Sequence, residues 1–174
     1  QWNGFVEEEI RSEARGGAYE LHLQEPPRPI SAIEADERER VSTGSEETDR
    51  VLGGGIVGGS AILVGGDPGI GKSTLLLQLF QRLAATGRKV LYVSGEESAK
   101  QIKLRGKRIG ADSENLLVFV EISLEAILEQ TAAVKPAAVV IDSIQTVYSS
   151  SLSSAPGSVG QVRECSERLI LQAK

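Results

Sequence analysis

The chain has a single cysteine, a single histidine and few aromatic residues, at 4% of 174 positions. With only Cys165, these residues hold no internal disulfide and no multi-cysteine metal site. Cys165 lies in VRECSERLILQ, where Val162, Cys165, Leu169 and Ile170 fall on one helical face, so it is expected to be a small buried apolar residue. His22 stands alone in the alternating stretch AYELHL and is expected on a strand surface, since no partners converge on it. No apolar run approaches the length needed to span a bilayer. The opening QWNGFVEEEI has neither the positive start nor the apolar core of a signal peptide, so a cytoplasmic location and no membrane contact are expected. The net charge of −5 leaves no excess of basic surface. Because sequence-independent nucleic-acid affinity comes mainly from neutralising phosphates, any such contact must be local.

What is present is ordinary globular composition, 40% hydrophobic and 25% charged, in a length suited to one α/β domain. Residues 1–29 differ from the rest: a charged stretch, the alternating AYELHL and a proline-broken QEPPRPI read as a leading arm with one short strand and a linker. From residue 30 to 174 the pattern is regular. STGSEETDRVLGGG suits a short helix capped by Ser42 or Thr43 and stopped by glycine. Ala61 to Val64 reads as a strand buried on both faces. Leu75, Leu76, Leu79, Phe80 and Leu83 then recur at helical spacing until Gly87.

The alternation repeats. Val90 to Val93 reads as strand, Ser98 to Ile109 as helix and Leu116 to Val120 as strand. Leu124 to about Val134 reads as a helix closed by Pro136, and Ala138 to Asp142 as strand. Apolar strands alternating with amphipathic helices predict right-handed crossovers and a mostly parallel sheet flanked by helices. SSSLSSAPGSVG, residues 149–160, is a flexible loop by composition, and a last helix runs to the end of the chain.

Between the first apolar run and its helix stands GDPGIGKST, that is Gly66, Asp67, Pro68, Gly69, Ile70, Gly71, Lys72, Ser73 and Thr74. The pattern G-x-x-x-x-G-K-S between strand and helix is that of a phosphate-binding loop. Glycines let backbone N–H groups turn inward and approach phosphate oxygens with no Cβ in the way. Lys72 would reach the β- and γ-phosphates and the Ser73 hydroxyl would ligate Mg²⁺, with the helix N-terminus adding partial positive charge. Asp142, ending the apolar strand AVVID, stands where a second acidic residue is needed to hold the metal's water shell. Glu96 and Glu97 follow the strand Val90 to Val93. In a doubly wound sheet they would face the same crevice as the loop and Asp142, where a carboxylate could activate water. Spacing alone does not choose between them, nor between that role and two acids favoured by a helix dipole. The basic cluster KQIKLRGKR reads as a solvated helix face.

Together, STGSEETDRVLGGG, LVGGDPGIGKSTLLLQ, YVSGEES and VVIDSIQT resemble the RecA-like P-loop ATPases, and within them the bacterial RadA (Sms) family of DNA repair and recombination proteins. The resemblance implies ATP and Mg²⁺ as ligands, Walker A at Gly66 to Thr74, Walker B at Asp142, and Glu96 rather than Glu97 as the water-activating carboxylate. It also implies a homo-hexameric ring on single-stranded DNA, working with recombination machinery in branch migration, with the Ser149 to Gly160 loop turned towards the channel. That family carries a four-cysteine zinc ribbon, a KNRFG motif and a Lon-protease-like domain, none matched here. The chain is therefore expected to be a partial RecA-like domain with very low hydrolysis of its own, and zinc is expected only in a preceding ribbon. A nucleotide-dependent ring-assembly or switch module of KaiC type, without DNA, is the alternative. A small-molecule kinase is disfavoured because no lid or acceptor site follows the phosphate loop.

Overall fold

The computed structural model describes residues 27–32 and 40–174. Expectations for the first 26 residues, His22 and AYELHL included, lie outside the described residues. The chain divides into two units, residues 1–36 and 37–174. In the first, the described part contains a 3-10 turn, Ile30–Ala32. Everything that follows concerns the second.

The sheet at its centre is parallel and three-stranded, built from β3 (Val90–Ser94), β4 (Leu116–Val120) and β5 (Ala138–Asp142) in the order β4-β3-β5. These are the three later strands that the apolar runs predict. Central β3 is buried along its whole length, and its alternation sorts the core into two layers. Val90 and Tyr92 share one layer with Leu77, Phe80 and Leu83 of α2 (Lys72–Ala85) and Ile102 of α3 (Ala99–Ile109). Leu91 and Val93 share the other with Leu124 and Ile127 of α4 (Leu124–Val134) and Cys165 of α5 (Val159–Ala173). Helices thus cover both faces, as parallel crossovers require.

Local chemistry sets the helix ends. Ser98 and Gln101 form a reciprocal capping box at the start of α3, and Gly110 ends that helix in the left-handed conformation. Ser123 and Ser158 cap α4 and α5. Lys135, at φ 49°, closes α4 one residue before Pro136. Ahead of the sheet, α1 (Glu46–Val51) lies between the antiparallel pair β1 (Arg40–Val41) and β2 (Ile56–Val57).

Four expectations are corrected. The run Ala61 to Val64 belongs to no strand, and Leu63 is 88% exposed. An apolar run becomes a strand only where a ladder partner takes its backbone groups. Here β5 pairs with β3 on one side, and no described residue pairs with the run. Ser45, not Ser42 or Thr43, caps α1. Those two residues instead bind Asp49 through hydroxyls at 2.6 and 2.7 Å and the Thr43 N–H at 2.8 Å. The Ser42 bond first, then those from Thr43, hold the Asp49 carboxyl below its usual range. In α2 the core position is Leu77, while Leu75 is exposed; in α5 Ile170 is exposed. A helical stripe fixes only which residues share a face, and neighbouring elements decide how wide a stripe is covered.

The serine-rich segment is tied down at its base. Gln161, buried on α5, accepts the Ser149 N–H at 2.8 Å, and its amide lies 3.2, 3.3 and 2.9 Å from the carbonyls of Ser149, Leu152 and Ser154. Cys165 is fully buried one turn further on, and burial pushes its thiol pKa up, as expected of an inert core cysteine.

Candidate functional site

The parallel register of β3 and β5 pairs Ser94 with Asp142, so both strands end at the same level. Past β3 come Glu96 and Glu97; past β5 come Ser143 and a 3-10 turn, Ile144–Thr146. Gly95 is required there. A Cβ on it would fall 2.1 Å from the Thr146 hydroxyl and 2.7 Å from the Ile122 side chain. This close approach brings the two strand exits together, and the Ser143 hydroxyl donates to the Glu96 carboxylate at 2.6 Å. The Asp142–Ser143 peptide bond is cis.

Glu97 sits differently. Its carboxylate forms an ion pair with Arg105, and its second oxygen is buried with no hydrogen-bond partner. Glu96 is exposed at the crevice. Lys100, Lys103, Lys107 and Arg108 lie exposed on α3, leaving Arg105 as the member of the basic cluster that turns inward.

Gly66 to Gly71 form an exposed loop, and Lys72, Ser73 and Thr74 make the first turn of α2. Gly66, Gly69 and Gly71 all have positive φ, at 153°, 81° and 105°, so the loop's path depends on glycine. Gly71 caps the helix without a side-chain bond. The Lys72 ammonium donates to the carbonyls of Gly66 and Asp67 at 2.7 and 2.9 Å. It is therefore folded over the loop, held by neutral acceptors that an anion would outcompete.

A residue that sequence reasoning passes over joins the two halves. The Tyr92 hydroxyl, buried in the middle of β3, donates to the Asp142 carboxylate at 2.5 Å and lies 3.4 Å from the Ser73 carbonyl oxygen. Burial first, then the hydrogen bond and charge of Asp142, raise its pKa well above the ordinary phenol value. The available signal was a tyrosine inside the apolar run VLYV, because a buried phenol needs a polar partner.

The chemistry of the donor set fits a nucleotide with Mg²⁺. Magnesium takes one or two carboxylates plus phosphate and water oxygens rather than a full protein cage. Asp142 and the Ser73 turn, both neighbours of the Tyr92 hydroxyl, offer that kind of oxygen set next to a glycine loop and a lysine.

A model of the KaiC ATPases matches residues 41–133. That is more than half of the chain, and it takes in the loop, β3, α3 and β4. The chain belongs to the KaiC ATPase family. Among characterised proteins, this KaiC-family chain is 53% identical over 176 residues to the DNA repair protein RadA of Listeria monocytogenes, which covers 100% of the chain and 38% of that protein. It is 50% identical to RadA of Bacillus subtilis over 177 residues, 99% of the chain and 39% of that protein. With RadA of Aquifex aeolicus the identity is 50% over 171 residues, 97% of the chain and 37% of that protein. The chain thus spans less than two fifths of the length of these relatives. Among the described residues no helix is long and apolar enough to cross a membrane.

Proposed function

We propose that this chain is the ATP-binding core of a DNA-dependent ATPase acting in DNA repair and recombination. The observation that carries the reading is the meeting of the first turn of α2, directly after the glycine loop, with the end of β5 across β3, where Tyr92 touches both Asp142 and the Ser73 turn. In this reading the N–H groups from Gly66 to Thr74 and the Lys72 ammonium bind and orient the phosphates. Ser73 and Asp142 would hold Mg²⁺, which when bound neutralises charge on the phosphate oxygens. Glu96 leaves Ser143 to orient a water molecule and takes its proton as the water oxygen bonds to the γ-phosphorus and the bond to ADP breaks. Most of the rate gain comes from this positioning and from charge stabilisation completed by a cation of a neighbouring subunit.

The similarity to RadA proteins extends the proposal to the whole protein: a hexameric ring on single-stranded DNA that drives branch migration with recombination machinery, the Ser149 to Gly160 segment, whose last two residues open α5, meeting the DNA, and a zinc ribbon ahead of the core. Cytoplasmic action follows from the same reading. The KaiC family match favours a second reading, a ring-assembly module switched by nucleotide without DNA. ATP hydrolysis by the full-length protein, measured with and without single-stranded DNA, separates them. A severalfold rise with DNA supports the motor; normal ATP binding with no response to DNA points to the switch module.

A further inference from the structure

We infer that Tyr92 is a positioning residue for the magnesium carboxylate, its buried hydroxyl fixing Asp142 beside the first turn of the phosphate-loop helix. The inference rests on the proposed reading of Asp142 as the metal-side carboxylate.

Three observations carry it. Tyr92 is fully buried in the central strand, in a layer otherwise made of Leu77, Leu79, Phe80, Leu83, Val90 and other apolar residues. A phenylalanine would fill that layer without bringing a polar atom into it, so packing does not account for the hydroxyl. The register pairs Tyr92 with Val140, and its side chain reaches two residues further along the neighbouring strand to the last one, Asp142. Finally, the phenol has one proton and two oxygens near it. The carboxylate at 2.5 Å takes the proton, as the charged and nearer acceptor, and the Ser73 carbonyl at 3.4 Å is left as a close neighbour.

The consequence is directional. With Oδ2 held by Tyr92, the rotation of the Asp142 carboxylate is fixed and Oδ1 is the oxygen left for metal or its water. The same phenol abuts the Ser73 backbone carbonyl, so the carboxylate and the helix turn that carries Ser73 are registered against one point in the central strand. Such supporting hydrogen bonds to metal ligands typically matter by about tenfold or more in metal affinity. The Tyr92 hydroxyl touches neither the loop amides nor Lys72, so metal-free nucleotide binding should not depend on it.

The test is ATP binding by calorimetry to the full-length protein, first in chelator and then across a Mg²⁺ titration, for wild type, Tyr92→Phe and Asp142→Asn, with the thermal midpoint of each nucleotide-free protein. The expected result is wild-type affinity in chelator for Tyr92→Phe and a half-saturating Mg²⁺ concentration raised about tenfold in that variant. If Asp142→Asn raises that concentration and Tyr92→Phe does not, the positioning role is overturned while the reading of Asp142 stands. If neither variant alters the Mg²⁺ dependence, the reading of Asp142 itself fails. If Tyr92→Phe weakens binding equally with and without Mg²⁺, alongside a lower thermal midpoint, the tyrosine serves the fold and the inference falls.

Discussion

Glu96 accepts the Ser143 hydroxyl at 2.6 Å, which joins the second residue beyond β3 to the first beyond its parallel neighbour β5. The adjacent Glu97 is turned the other way, into an ion pair with Arg105 of α3. Two consecutive acids thus have different surroundings: one lies exposed at the crevice, bonded to one hydroxyl that water can replace, and the other is committed to the fold.

Glu96→Gln is therefore expected to leave ATP binding intact and to slow single-turnover hydrolysis about a hundredfold or more, the range of general-base catalysis. Glu97→Gln should act mainly on stability, by about 1–2 kcal/mol, between the values for exposed and buried pairs. Arg105→Met should lower the thermal midpoint similarly. Rapid-quench kinetics and thermal unfolding on the same samples check both. A Glu97→Gln protein that is fully stable yet inactive would reverse the assignment.

Lys72→Ala should abolish the phosphate cradle while sparing the fold. The ammonium bonds only to the exposed carbonyls of Gly66 and Asp67, so its loss leaves no buried group unsatisfied. Against a triphosphate it would make charge-assisted bonds worth about 2 kcal/mol or more, which is at least roughly thirtyfold in affinity. Calorimetric titration with ATP and ADP reads the affinity, and an unchanged thermal midpoint shows the fold is intact.

The strands Leu116–Val120 and Ala138–Asp142 and the helices Ala99–Ile109 and Leu124–Val134 were legible in the sequence because period and length agreed with glycine, proline and serine punctuation. The glycine loop was legible from its spacing, and the placing of Glu96 just past β3 and of Asp142 at the end of β5 from the strand pattern. Pairing was not. Ala61 to Val64 has a strand's composition, yet strand formation depends on a partner that composition does not name. The links made by Tyr92, Ser143 and Gln161 were missed because each depends on side-chain hydrogen bonds to residues 12 to 50 positions away. Such contacts follow only from the register of β3 and β5 and the placement of α5.

Gly95→Ala is expected to destabilise the protein by about 1–3 kcal/mol, the usual cost of forcing atoms into a packed site. Its Cβ would meet the Thr146 hydroxyl and the Ile122 side chain at distances no relaxed structure tolerates. Relief requires the strand exits to part, which also moves Glu96 away from Ser143. Denaturant unfolding measures the first effect. Because the contact lies beside Glu96, the proposed water-activating carboxylate, hydrolysis should fall by more than the loss of folded protein accounts for.

Gln161→Leu tests whether the base of the serine-rich loop is held by one buried side chain. The amide's two protons are shared among the carbonyls of Ser149, Leu152 and Ser154, and its oxygen accepts the Ser149 N–H. Leucine would fill the space but leave those backbone groups without their partner, a cost of about 1–3 kcal/mol for each one that water does not reach. The segment from 150 to 158 is mostly exposed, so its backbone can turn to water, whereas Ser149 is fully buried and cannot. The loop should therefore detach rather than the domain unfold. Subtilisin cleavage, followed by mass spectrometry, should speed up severalfold within residues 150–158, with little change elsewhere. Uniform acceleration along the chain would instead mean that Gln161 supports α5 and the core as a whole.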